Sequence, residues 1–197
     1  PLLWSDDFEH VPTEEMGYVI DAPRGAFRVI PQGLEVTLKK GQLNVAGKAK
    51  AEFGPRFGEV AERYGRIPFL VQRWHVFTVM LPDDWQRHGA KTPLFSLHGT
   101  EDPGEERMGR NASISLIVVG DHWVGWRLWN DKLLQVVNEH RIETFRIPYR
   151  RGIPTRFIFR TVLDWNPTGM GETDIWVKEG FDPVRQVFTE RGPNATN

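Results

Sequence analysis

Cysteine is absent from this chain. That removes disulfides, thiolate nucleophiles and cysteine-bound metals from consideration. It does not fix a compartment, because 197 residues can bury a core that stands without staples. An excess of one charge is missing too: 25 Lys and Arg against 26 Asp and Glu leave a net charge of −1. No global field therefore draws nucleic acid or an anionic membrane, and attraction for an acidic partner has to come from a local cluster. No apolar run approaches the ~18 residues of a membrane span. The six histidines show no His-x-x-x-His spacing, so metal catalysis finds no support. Tyrosine is scarce, at Tyr18, Tyr64 and Tyr149 only. Helical periodicity is nearly missing, with "FGEVAERYG" and "PDDWQRHG" alone able to make a turn or two. The opening "PLLWSDDFE" carries neither an initiator Met nor a signal-peptide apolar core, as in a processed or trimmed protein.

What is present is aromatic and alternating. Eight Trp and twelve Phe favour strands, fill sandwich cores and also stack on sugar rings. "GAFRVIPQGLEVTLKKGQLNVAG" reads as at least three strands, with Leu34, Val36 and Leu38 on one face. "QRWHVFTVMLP" is a longer strand ended by Pro82. "ASISLIVVGDHWVGWRLWNDKLLQVVN" reads as a meander with Gly-Asp and Asn-Asp turns. "RFIFRTVLDW", "TDIWVKEG" and "RQVFTE" supply the last strands. About a dozen short strands without βαβ alternation predict one all-β domain over 1–197, an antiparallel two-sheet β-jelly roll of concanavalin A-like sandwich type. In "HWVGWRLWND", Gly125 and the flanking turn pairs favour a strand, which sets Trp126 on the face opposite Trp123 and Trp129. In "TPLFSLHG", Phe95 and Leu97 alternate with Ser96 and His98, so the strand should bury the first pair and present the second.

Several of these stretches, taken in order, resemble the polysaccharide lyases related to heparin lyase I and glucuronan lyase, the alginate lyase-like jelly-roll group. "LLWSDDFE" resembles their first strand, and "RWHVFTVMLPDDW" their aromatic pair, alternating strand, Leu-Pro and Trp. "PLFSLHG" falls where they carry Gln-x-His, and "SLIVVGDHW" and "LDWNPTGMGETDIWVKEG" resemble their later strand pair. The resemblance implies a groove on a concave sheet, an acidic, uronate-bearing polysaccharide as partner, and cleavage by β-elimination. That reaction neutralises the C6 carboxylate, removes the C5 proton and protonates the leaving oxygen. It also implies a secreted or periplasmic monomer without a cofactor.

Carried over residue by residue, His98 matches the His of Gln-x-His and would act as base, while the Gln falls on Ser96. The early Arg-x-Glu motif falls on Lys50 and Glu52, with Arg56 just beyond, and Lys keeps the charge without the bidentate fork. The late Tyr-Phe-Lys-x-Gly motif falls on Trp176 through Gly180, keeping Lys178 and replacing the Tyr by Trp176. The family's further catalytic Tyr would fall on Asp182. Tyr149, beside Arg150 and Arg151, is then a candidate acid or base. On this reading Lys50, Glu52, Arg56, Ser96, Trp176 and Lys178 bind substrate, and His98 and Tyr149 act on it.

Two other functions stay open. A lectin-like jelly roll that binds carbohydrate without cleaving it needs only aromatic platforms and hydrogen-bonding rims. A sandwich-fold glycoside hydrolase would use Glu172 and Asp174, but alternation sets Trp176 where a further carboxylate of a Glu-x-Asp-x-Glu strand would stand. His75 alternates with Trp74 and reads as a sheet-surface residue. Arg156 and Arg160 share a strand face with Ile158 and Val162, either bordering an anion site or meeting water. The acidic loop "GTEDPGEE" leaves room for a structural Ca²⁺ without matching an EF-hand.

Overall fold

The computed structural model describes residues 9–13, 18–31, 33–37, 41–43, 47, 51–55, 70–87, 91–97, 112–129, 140–164 and 169–194. Among these residues there are twelve strands, all pairings are antiparallel, and no helix occurs. The chain divides into two compact units, Pro1–Ile67 and Pro68–Asn197.

The first unit holds two strand pairs. β1 (Tyr18–Asp21) pairs with β4 (Glu52–Pro55). β2 (Phe27–Ile30) and β3 (Gly33–Val36) form a hairpin on which Arg28 and Glu35, directly opposite each other, make an ion pair. The further strand expected beyond Val36, and the helical turn expected from "FGEVAERYG", fall largely or wholly outside the described residues.

The second unit is a β-sandwich-like pair of four-stranded sheets. One sheet has the order β12-β11-β10-β5, from β5 (Gln72–Val79), β10 (Thr155–Val162), β11 (Glu172–Glu179) and β12 (Arg185–Arg191). The other is a meander, β6 (Thr92–Leu97), β7 (Ile114–Val119), β8 (His122–Trp129) and β9 (His140–Pro148). Strict alternation drives the first sheet: in "TRFIFRTV" the residues Thr155, Phe157, Phe159 and Thr161 are buried, and the intervening ones are not. The sheets meet through aromatic rings. Phe77 of β5 and Phe95 of β6 lie 4.7 Å apart between centroids, and Trp123 of β8 meets Phe157 of β10 edge-on at 5.4 Å. Leu116, Val118, Phe145, Ile175 and Val177 complete this core.

Local chemistry sets the boundaries. Gly120 takes a φ of 61° at the first position of the two-residue β7–β8 turn, as a type II′ hairpin requires. Pro82–Trp85 closes a turn through Trp85 N–H to the Pro82 carbonyl, so "PDDWQR" makes a turn where a short helix was expected. Trp123 points into the core and Trp126 to the opposite face, as strand alternation predicts; the Trp129 side chain is outside the described residues. A clasp fixes the end of the first sheet. Buried Asn194 donates to the carbonyls of Val162 and Glu172 and accepts from the Asp164 N–H, which ties β10 to β11. Arg127 of β8 bonds Glu190 of β12 and the Pro193 carbonyl, linking one sheet to the other.

Candidate functional site

The register of β5, β10, β11 and β12 turns the outer face of their sheet into a grid. One row across the strands is Gln72, Val162, Glu172 and Arg191. The next is Trp74, Arg160, Asp174 and Thr189, followed by Val76, Ile158, Trp176 and Gln186. The last is Thr78, Arg156 and Lys178. Successive rows are about 7 Å apart, two residues along a strand.

Two tryptophans dominate this face. Trp74 and Trp176 sit on either side of β10, one row apart, and their rings stack at 5.6 Å with 20° between planes. Trp74 remains 54% exposed and its neighbour Val76 58%. Both lie on β5, the edge strand of this sheet, and large apolar side chains left open to water are unfavourable unless something covers them.

Polar groups border the pair. Asp174, 3% exposed, accepts from Thr189 Oγ1 at 2.5 Å, Arg160 Nε at 2.7 Å, Arg191 Nη1 at 3.2 Å and Gln186 Nε2 at 3.4 Å. Arg160 also reaches Glu172 at 2.6 Å and the Gln72 amide oxygen at 3.0 Å. Burial alone would push the Asp174 carboxyl up, but the bonds from Thr189, Arg160 and Arg191 outweigh it and hold it below the usual range. The same contacts, led by the hydrogen bond to Asp174, raise the Arg160 guanidinium. Asp174 is therefore a fixed anion that orients two arginines and has no proton to give at neutral pH.

Of the residues expected to form one groove, the described Ser96 and Lys178 do not come together. Ser96 is exposed on β6, opposite Ser115, and Phe95 and Leu97 turn to the core as expected. Trp176 and Lys178 alternate with the buried Ile175 and Val177 of β11 in the other sheet. Ser96 and Lys178 thus stand on the opposite outer surfaces of the sandwich-like unit. Tyr149 packs edge-on to Trp123 at 5.7 Å, and its hydroxyl donates to the Gly120 carbonyl at 3.2 Å, beside the β7–β8 turn. Its neighbour Arg150 is engaged by Asp182 at 2.5 Å and Glu179 at 3.5 Å. The Glu52 backbone lies on β4 opposite Asp21, and its side chain is outside the described residues, as are His98, Lys50, Arg56 and the loop "GTEDPGEE".

His75, read from sequence as a surface residue, faces inward instead. Its ring lies 5.7 Å from Phe95, and burial, helped by the Arg73 charge, lowers its pKa to about 4. The alternation of β5 assigns Trp74 to one face and His75 to the other, but which face is the core follows only from pairing with β10. The Trp74–Trp176 contact escaped sequence reading for the same reason: a diagonal across a strand from another part of the chain has no local signature. Among the described residues no group of three or more His, Asp and Glu is placed to hold a metal ion.

No protein-family model, curated protein or solved structure matches this chain. Among the described residues, the fold and site define an all-β protein with a solvent-open aromatic sheet face.

Proposed function

We propose that this chain binds a carbohydrate on the outer face of the β5-β10-β11-β12 sheet and does not cleave it there. The observation that carries the reading is the stacked Trp74–Trp176 pair, with Trp74 open to solvent and Trp176 half-buried, bordered by amide, hydroxyl and guanidinium groups. A sugar ring offers C–H faces to an aromatic surface and hydroxyls to the groups around it, and this face presents both kinds of contact. Trp74 has one ring face against Trp176 and keeps more than half its surface open for a ligand.

Elimination was expected from the resemblance to polysaccharide lyases of the jelly-roll group, and the binding reading departs from it on geometry. A base, an acid and a carboxylate-neutralising cation must converge on one sugar. Ser96 and Lys178 face away from each other, and the Tyr149 hydroxyl is engaged by a backbone carbonyl. Hydrolysis fares no better. Asp174 is held ionised by four donors, and Glu172 is engaged by Arg160 and Arg191. For the fold, the chain leaves the first sheet after β5, completes the second as β6–β9, and returns beside β5 as β10. We read this crossing, with the resemblance, as a jelly-roll-type sandwich.

The test is retention of the protein on a panel of neutral and acidic glycans, with absorbance of an unsaturated product followed in the same samples. Retention of the parent and loss of it in Trp74→Ala supports binding. A rise in absorbance with any polyuronide returns the elimination reading. No retention on any glycan, or retention unaffected by Trp74→Ala, removes the platform.

A further inference from the structure

The last row of the grid carries a feature that the fold itself does not call for. Arg156 on β10 and Lys178 on β11 are directly opposite each other on the outer face. Directly paired cross-strand residues have Cβ atoms about 4.5–5.5 Å apart, and like charges at that spacing are destabilising. Elsewhere on this face the arginines are compensated: Arg160 and Arg191 both contact Glu172 and Asp174. Arg156 makes only a long 3.4 Å bond to Thr78 Oγ1, and among the described residues neither it nor Lys178 makes an ion pair. Glu179, next along β11, is engaged by Arg150, and Asp182 in the following turn likewise. Two cations side by side, in a row next to the tryptophan platform, are a preorganised place for an anion.

We infer that Arg156 and Lys178 form an anion subsite, and that the ligand of this face is an acidic saccharide whose carboxylate or sulfate sits between them while a ring of the same chain lies on Trp74. The inference rests on the carbohydrate-binding reading above. The geometry fits that ligand in two respects. The cation row is one row from Trp176 and two rows, about 14 Å, from Trp74, a separation that a short run of sugar units of one chain can span. The guanidinium offers a planar fork and the ammonium a movable point charge, which together accept either a planar carboxylate or a tetrahedral sulfate. An anion there also relieves the cross-strand repulsion, so binding and folding stability should be coupled.

The experiment measures affinity of the full chain for polygalacturonate, dextran sulfate, a neutral β-glucan and polyglutamate, in the parent and in Arg156→Gln, Lys178→Gln and Trp74→Ala. Each Gln variant should lose roughly tenfold in affinity for the acidic glycan, the scale of one charge-assisted contact. It should also show a shallower loss of binding as salt rises. Whether polygalacturonate or dextran sulfate is held more tightly identifies carboxylate or sulfate as the group. Thermal unfolding gives an independent readout. Lys178→Glu, which sets opposite charges across β10 and β11, should unfold at higher temperature than the parent while losing the acidic glycan. Acidic-glycan affinity unchanged in both Gln variants overturns the subsite, and so does equal affinity for polyglutamate. Preference for the neutral glucan, with Trp74→Ala losing it, overturns the subsite and leaves the platform standing. Retention unaffected by Trp74→Ala removes the platform reading instead.

Discussion

The two sheets of the second unit share one core and have opposite outer surfaces. In the meander sheet, Ile117 and Val124 are opposite each other on the face away from the core, and both are buried, as is Leu128. In the other sheet, Trp74 and Val76 occupy the equivalent face and are open. The strands record this difference. β7 reads "ISLIVV", apolar at nearly every position, as strands covered on both faces do. β10 reads "TRFIFRTV", aromatic toward the core and Arg, Ile, Arg, Val toward the outside. A sheet face that is neither covered nor uniformly polar keeps exposed apolar surface at a cost, which on the proposed reading a bound ligand offsets.

The comparison is sharpest when one change is made on both sides of it. Trp123 is fully buried against Tyr149 and Phe157. Trp123→Ala should cost on the order of 3–5 kcal/mol by emptying the core between the sheets. A denaturant titration with a midpoint within experimental error of the parent would break the claim that these two sheets share that core. The second largest effect belongs to the outer face. Asp174→Asn leaves Arg160 and Arg191 with Glu172 as their one remaining carboxylate and should cost about 2–4 kcal/mol. Because Asp174 is held below the usual carboxylate range, its contribution is present at neutral pH and is lost as pH falls through that lowered value. Asn at this position should therefore flatten the acid limb of the stability curve.

His75 gives a third effect, in a different pH window. Its folded pKa of about 4 lies below the unfolded value of 6.5, so between these values the unfolded chain binds more protons than the folded one. Stability is full above about pH 6.5 and falls as pH drops toward 4, by roughly 3 kcal/mol in all. His75→Phe, set beside Phe95, should remove that fall while leaving the lower-pH limb from Asp174 intact. Equal slopes between pH 6.5 and 4 in parent and variant would show that His75 is not buried neutral between the sheets.

Much of the fold was legible in the sequence because strand chemistry is local. The β10 alternation, the Gly120–Asp121 turn and the opposition of Trp123 and Trp126 all follow from neighbouring residues. The site was less so. Ser96 and Lys178 were placed in one groove because their motifs follow the order of a family's motifs, and order along a chain does not state which sheet a strand joins. That depends on the return of β10 beside β5, a pairing of residues more than seventy apart in sequence. Nothing in the sequence singles out Trp74, because a lone surface tryptophan carries no local mark of a role. The proposed platform is the diagonal contact of Trp74 with Trp176, and it exists only once three strands are in register.

The smallest expected effect on stability is the one most informative about function. Trp74 is more than half exposed, and its described ring contact is the stack with Trp176. Trp74→Ala should cost about 1–2 kcal/mol, since the exposed half of the side chain contributes nothing and the aromatic pair adds roughly 0.5–1.5 kcal/mol to the area it buries. The contrast with Trp123→Ala is then about twofold or more in free energy for the same chemical change. In binding the order should reverse. At a temperature where Trp123→Ala remains folded, its outer face is intact and glycan retention should persist, whereas Trp74→Ala should remain fully folded and lose retention by tenfold or more, the usual result of removing an aromatic anchor. Stability falling by several kcal/mol in Trp74→Ala would mean that the tryptophan is a covered structural residue, and the open face would then have to be sought elsewhere. Retention lost equally in both variants would mean that the two faces are not separable, and the division between a core that holds the sheets and a surface that holds a ligand would fail with it.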